Sequence, residues 1–250
     1  MPAADSIRTT PWHDLTPPAL ELRGVTAGYG RITVLHDIDL VVPAGSIVAL
    51  LGANGAGKST TLGVASGRIR PFRGHVHVAG VHLNGASTAA LARAGVCLIP
   101  EGRGIFPRLT VAENLRLVTY AAGTSAGEVA DLVYTQFPRL AERRRQVAGT
   151  MSGGEQQMLA MARALAASPK LLLLDEISMG LAPKIVADLY EIVAMLRDKG
   201  ITVLVVEQFA HTALAIADYA VLMAAGRILR VGQPADVAAH LDETYLGESA

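Results

Sequence analysis

Residues 46–51 read Ser-Ile-Val-Ala-Leu-Leu and run straight into Gly-Ala-Asn-Gly-Ala-Gly-Lys-Ser at 52–59. An apolar run, a glycine-rich loop and a helical pattern from Lys58 make a strand–loop–helix unit, the setting in which a phosphate-binding loop works. Gly52, Gly55 and Gly57 let the backbone curl, so that successive N–H groups along Ala53, Asn54 and Ala56 can point at phosphate oxygens. The helix that opens at Lys58, Ser59 and Thr60 aims the positive end of its dipole at the same place. Lys58 adds a full charge for the β- and γ-phosphates of a nucleotide, and the Ser59 hydroxyl can ligate Mg²⁺.

Two further strings carry chemistry. Leu171–Leu174 is a run of four leucines followed by Asp175 and Glu176. Such a buried strand sets Asp175 at its C-terminal end, the edge that holds ligands in open α/β sheets. There Asp175 can hold Mg²⁺ directly or through water, and Glu176 can polarise an attacking water as general base. Taken alone the string is equally a plain strand end. Ser152-Gly153-Gly154-Glu155-Gln156 opens a helix, and Ser152-x-x-Glu155 is a capping box. Gly153 and Gly154 leave the backbone N–H groups there uncovered, so a phosphate could approach closely. The chain already owns one phosphate loop, so this second anion site best serves a nucleotide held by another chain.

Around these strings the pattern alternates between strand and helix. Leu20, Leu22 and Val25 alternate, and Ile32–Val42 is strand-like, together suggesting the antiparallel edge of a sheet. His75–Ala79 and Val96–Ile99 read as short strands. From about residue 101 the pattern turns helical, with Thr110 as a cap, a helix over Ser125–Phe137 stopped by Pro138, and a long helix over Ser152–Ala167. This block, about 101–166, reads as an inserted helical subdomain. Then come a helix over Pro183–Lys199, a strand over Thr202–Val206, a helix over His211–Ala217, strands at Tyr219–Met223 and Arg227–Val231, and a short helix near Pro234–Leu241. Residues 1–19 read as a disordered tail and 248–250 as a terminal one.

Composition excludes several classes. Lys and Arg number 22 against 22 Asp and Glu, so the basic footprint of a nucleic-acid binder is missing. Arg143-Arg144-Arg145 reads as a solvated helix end. Hydrophobic residues make up 51% of the chain, yet no apolar stretch is long enough to span a bilayer. A mean hydropathy of +0.36 therefore reflects alanine and a buried parallel sheet. The single cysteine, Cys97, reads as a buried strand residue.

Together the three strings resemble the nucleotide-binding subunit of an ABC transporter, over residues 20–247. The resemblance implies an α/β fold of the ABC-type P-loop NTPase kind: a mixed central sheet, an antiparallel edge subdomain and the inserted helical subdomain. It implies ATP and Mg²⁺ as cofactors. It also implies a head-to-tail pair with a second ATP-binding subunit, identical or a sister chain, in which ATP sits between the phosphate loop of one and Ser152–Gln156 of the other. Membrane-spanning permease subunits would hold the pair at the cytoplasmic face of the membrane, and a solute-binding protein would act indirectly. Tyr29, in Ala-Gly-Tyr-Gly, matches the aromatic that stacks on adenine, and Ser178–Pro183 matches a loop that contacts the partner subunit. Phe106 and Pro107 fall in the stretch that meets the permease.

Three positions depart from the family. Glu101 stands where glutamine is usual, and a carboxylate there can still ligate Mg²⁺ or hold water. Gln208 stands where a switch histidine is usual; its amide can donate to a γ-phosphate but cannot titrate near neutral pH. His211, three residues on, is a poor substitute. Ile177 replaces a common proline and could loosen the turn that positions Glu176. Pro-Glu-Gly-Arg, Gly-Thr-Met-Ser-Gly-Gly-Glu-Gln-Gln-Met-Leu, Val-Glu-Gln and the terminal Tyr-Leu-Gly resemble one subset, the second ATP-binding subunit of branched-chain amino acid importers. Urea and amide importers share parts of it. A soluble ABC ATPase acting on nucleic acid or the ribosome would carry two modules or an inserted arm. A small phosphate-loop kinase would have no use for Ser152–Gln156.

Overall fold

The computed structural model describes residues 17–122, 125–208 and 210–241. The chain runs β1 (Leu20–Tyr29), β2 (Ile32–Val42), β3 (Ile47–Leu51), α1 (Lys58–Ala65), β4 (Arg73–Val78), β5 (Val81–His82), α2 (Thr88–Arg93), β6 (Val96–Ile99), α3 (Val111–Ala122), α4 (Ala126–Gln136) and α5 (Pro138–Glu142). It continues through α6 (Gly153–Ala166), β7 (Leu171–Asp175), α7 (Pro183–Asp198), β8 (Thr202–Glu207), α8 (Ala210–Ile216), β9 (Tyr219–Ala224), β10 (Arg227–Gly232) and α9 (Pro234–Ala238). Most of the expected tail at 1–19, the stretch holding Tyr-Leu-Gly and the tail at 248–250 lie outside the described residues.

The unbroken apolar runs become the middle of a six-stranded sheet in the order β10-β9-β3-β8-β7-β6. Pairings β9–β3, β3–β8, β8–β7 and β7–β6 are parallel, and β10 runs antiparallel to β9. Successive side chains in a strand point to opposite faces, and here both faces are covered. Ile47, Ala49, Leu51, Leu172, Leu174, Val203 and Val205 join a core shared with α3–α9. Val48, Leu50, Leu171, Leu173, Leu204 and Val206 join a second core under α1, α2 and the other sheet. Two buried faces explain why these strands lack polar alternation.

The first strands do not extend this sheet. β2-β1-β4-β5 forms an antiparallel sheet of its own. Its bonding begins one residue before β1, where Ala19 N–H donates to Val42 O at 2.9 Å. The strand β5 and the helix α2, which is capped by Ser87 Oγ accepting from Ala90 N–H at 3.2 Å, carry too little hydrophobic periodicity to be read from the chain.

Between β6 and β7 the structure is helical. Thr110 caps α3 as read: its Oγ accepts from Glu113 N–H at 3.2 Å, and Glu113 Oε2 accepts from Thr110 N–H at 2.8 Å. Pro138 does more than stop a helix. It ends α4 at Gln136 and then serves as the first residue of α5, because its fixed φ and missing N–H suit an N-terminal turn. Cys97 lies partly buried on β6, where burial pushes its thiol up to about 11.

Candidate functional site: the C-terminal edge of the parallel sheet

Strand register assembles the site. Leu51 pairs with Glu207, Asp175 with Val206, and Ile99 with Leu174. Residues just beyond those ends therefore leave the same edge of the sheet: Gly52 after β3, Gln208 after β8, Glu176 after β7, and Glu101 two residues after β6. Loops at this edge are where an open α/β sheet holds its ligand.

At Gly52 a Cβ would lie 2.2 Å from the Met223 carbonyl oxygen, and at Gly57, with φ +105°, it would lie 2.8 Å from Leu35 Cδ2. Both positions need glycine for the loop to pass this close to β9 and β2. Gly57 also opens α1 with no side-chain cap, and the first turn holds no acidic residue. The first intrahelical bond runs from Thr61 N–H to Gly57 O at 2.9 Å. The amides of Lys58, Ser59 and Thr60 thus sit ahead of the helix's own ladder, at its positive end.

Lys58 is 4% exposed. Its Nζ donates to Gly52 O at 2.7 Å and Ala53 O at 3.0 Å and lies 4.0 Å from Glu176 Oε1. Burial lowers its pKa, opposed by the nearby carboxylates of Glu176, Asp175 and Glu207. Ser59 Oγ donates to Asp175 Oδ1 at 3.2 Å. Burial raises the Asp175 pKa, with Glu176 and Glu101 adding to the rise and Ser59 and Lys58 opposing it. Asn54, Gly55 and Ser59 are exposed, as are Glu101 and Gln208. Tyr29, at the end of β1, is 56% exposed. His211 lies exposed on α8.

Glu176 has φ +48°, in the left-handed region, which costs an L-residue about 1–2 kcal/mol. Three anchors hold the turn without the usual proline. Glu176 N–H donates to Val206 O at 3.0 Å. Ile177 is buried in the larger core, so it fastens the turn instead of loosening it. Ser178 donates through N–H and Oγ to the two oxygens of Glu207, at 3.1 and 2.8 Å. Hydrogen bonds to a charged group contribute about 1.5–3 kcal/mol each, enough to outweigh the strain.

The start of α6 is a complete capping box. Ser152 Oγ accepts from Glu155 N–H at 3.4 Å, and Glu155 Oε2 accepts from Ser152 N–H and Oγ–H, both at 2.9 Å. Gly154 is buried, and a Cβ there would lie 2.5 Å from Ile185 Cγ2, so its bareness lets α6 pack on α7. Arg143, at the C-cap of α5, lies with Arg144 and Arg145 on an exposed helix end as expected, and its Nε also reaches Glu155 Oε1 at 2.9 Å. Gln156 accepts from Arg103 Nη1 and donates to Met151 O, which ties the helix tip to the loop that carries Glu101. Glu207 and Arg103 were both missed in the sequence. A charged residue ending the buried run Thr202–Val206 was the available signal for Glu207; Arg103 had none.

Among the described residues no group of three or more His, Cys, Asp or Glu is arranged to hold a metal ion by itself. A cation here needs ligands from nucleotide and water, which is the habit of Mg²⁺. The bonded Ser59–Asp175 pair would offer oxygens to such an ion.

A family model described as ABC transporter matches residues 35–178. The chain belongs to that family. It is 48% identical over 206 residues to the high-affinity branched-chain amino acid transport ATP-binding protein BraG of Pseudomonas aeruginosa, covering 82% of this chain and 88% of BraG. It is 34% identical over 218 residues to a probable branched-chain amino acid transport ATP-binding protein, LivF, of Archaeoglobus fulgidus, covering 86% and 92%. A solved ATP-binding subunit of an ABC transporter superposes with a TM-score of 0.80 at 30% identity, covering 93% of this chain and all of that one. This ABC protein is thus a nucleotide-binding ATPase of a transporter. Among the described residues no helix is long and apolar enough to cross a membrane.

Proposed function

We propose that this chain is the ATP-hydrolysing subunit of an importer for branched-chain amino acids, working at the cytoplasmic face of the membrane as one of a pair of ATP-binding subunits. The observation that carries the ATPase chemistry is the contact set at one sheet edge: Lys58 beside Glu176, and Ser59 bonded to Asp175. The solute class rests on the similarity to BraG.

In this reading the loop amides from Gly52 to Thr60 and the Lys58 ammonium bind the β- and γ-phosphates. Lys58 turns from its loop carbonyls toward the nucleotide. Mg²⁺, held by Ser59 Oγ, Asp175 and Glu101 together with water and phosphate, would neutralise charge on the phosphates. Glu176 takes the proton of the attacking water, and Gln208 donates its amide to the terminal phosphate. Ser152 and the amides of Gly153 and Gly154, with Glu155 and Gln156 fixing the helix tip, face the nucleotide of the other subunit. Phe106 and Pro107 meet the permease, which receives solute from a binding protein.

Tyr29 stacks on adenine. Base–aromatic stacking is worth about 1–3 kcal/mol, so Tyr29→Ala weakens ATP by roughly one to two orders of magnitude. Competition against a fluorescent ATP analogue checks this; parental affinity would return Tyr29 to an ordinary edge-strand residue.

The test of the whole reading is uptake into vesicles that contain the chain with its permease and binding protein. Labelled leucine, isoleucine and valine accumulate with ATP inside, and not when the chain carries Glu176→Gln. Uptake of urea or amides in place of these amino acids would reassign the solute.

A further inference from the structure

Among the described residues the buried charged side chains are Lys58, Asp175 and Glu207. The first two meet nucleotide in the reading above. Glu207, 1% exposed at the end of β8, takes no part in those steps. Its carboxylate turns sideways along the sheet edge. Oε1 accepts from Ser178 N–H at 3.1 Å and from Tyr190 Oη–H at 2.9 Å, and Oε2 accepts from Ser178 Oγ–H at 2.8 Å. Tyr190 lies buried on α7. One carboxylate therefore fastens three elements: the end of β8, the turn after β7, and α7.

What those elements carry makes the junction informative. Gln208 is the next residue after Glu207. Glu176 stands two residues before Ser178 and is itself bonded through its N–H to Val206 O. Beyond Ser178 the chain surfaces: Met179 is 53% exposed, and Gly180, Ala182 and Pro183 are exposed too. We propose that Glu207 is a positioning residue that makes the strand end bearing Gln208 and the segment 176–183 move as one body, so that engagement of the terminal phosphate by Gln208 sets Glu176 and the exposed loop together. This rests on the reading that Glu176 and Gln208 act on ATP.

The chemistry calls for a carboxylate. Three donors converge, and an ionised Glu is acceptor-only with two oxygens to offer. A glutamine of the same size would turn an NH₂ group toward a hydroxyl or an amide N–H, leaving a buried donor unpaired. Burial raises the Glu207 pKa, opposed by the bonds from Ser178 and Tyr190. The group is thus kept in place by its donors and not by solvent.

The experiment uses the full chain assembled with its permease partners and compares Glu207→Gln, Ser178→Ala, Tyr190→Phe and Glu176→Gln. A misplaced catalytic group can cost on the order of 10²-fold. Glu207→Gln is expected to lower kcat between about 10- and 10²-fold while KM for ATP stays within about threefold. Ser178→Ala lowers kcat in the same direction, and the double variant is no slower than Glu207→Gln alone, because both remove one junction. Parental kcat in Glu207→Gln, a rise in KM with kcat kept, or effects that multiply in the double variant would each overturn the proposal. If Glu207→Gln does not fold, Ser178→Ala and Tyr190→Phe carry the test, and parental kcat in both overturns it. Arrest in Glu176→Gln alongside a parental Glu207→Gln defeats only the positioning role. Equal rates in the parent and Glu176→Gln defeat the underlying assignment of the base.

Discussion

Glu176→Gln is expected to keep the parental affinity for ATP and to lose hydrolysis by roughly 10²–10⁴-fold, the contribution of a positioned general base. Glu176 leaves the end of β7 in a left-handed conformation that three anchors enforce. That backbone bend sends its carboxylate to within 4.0 Å of the Lys58 ammonium, beside the loop proposed to bind phosphate. An amide fills the same volume and does not take a proton. Binding survives because the cradle amides and Lys58 are untouched, and the variant accumulates as a closed ATP-bound pair. Phosphate release and size-exclusion chromatography with ATP read the two effects separately. Hydrolysis at the parental rate would move the base elsewhere.

Lys58→Ala is expected to weaken ATP by about 10- to 100-fold or more, since each hydrogen bond to a charged group contributes about 1.5–3 kcal/mol and the proposal gives the ammonium two phosphates to hold. The variant also loses stability. It leaves the buried carbonyl of Gly52 and the part-buried carbonyl of Ala53 without their donor, and Asp175 and Glu176 without their cation. The Asp175 pKa then rises further, because Lys58 is one of the two groups that hold it down. Equilibrium binding with a fluorescent nucleotide, beside a thermal melt, distinguishes lost affinity from lost fold. Unchanged binding in a folded variant would place the nucleotide away from this loop.

Much of this was legible in the chain because the informative contacts are local or lie at strand ends. Gly52–Ser59 is a loop whose conformation its own glycines dictate. Leu171–Leu174 announces a strand buried on both faces, and the residue after it must emerge at the edge. The capping boxes at Ser152 and Thr110 are four-residue devices. What stayed hidden depends on partners far apart in sequence. Nothing around 207 announces that a carboxylate will meet Ser178 and Tyr190, nor around 103 that a guanidinium will meet Gln156. At Gly154 the sequence shows a bare amide, and only the packing of α7 shows that Ile185 needs the space. Ile177 was read against the family's proline, where burial of its side chain supplies the anchor. The antiparallel character of the first strands is legible in their alternation, but not that they close a separate sheet, because pairing partners are not a local property and β1 pairs with β2 and β4.

The central claim is that a terminal phosphate is gripped from two sides by two subunits. Its most direct test is a structure of the Glu176→Gln chain, alone or with its sister subunit, trapped with ATP and Mg²⁺. The account predicts Lys58 Nζ of one subunit and the Ser152 hydroxyl of the facing subunit on the same γ-phosphate. A triphosphate seated in the loop while every Ser152 points to solvent, or a loop left empty at saturating ATP, would contradict it.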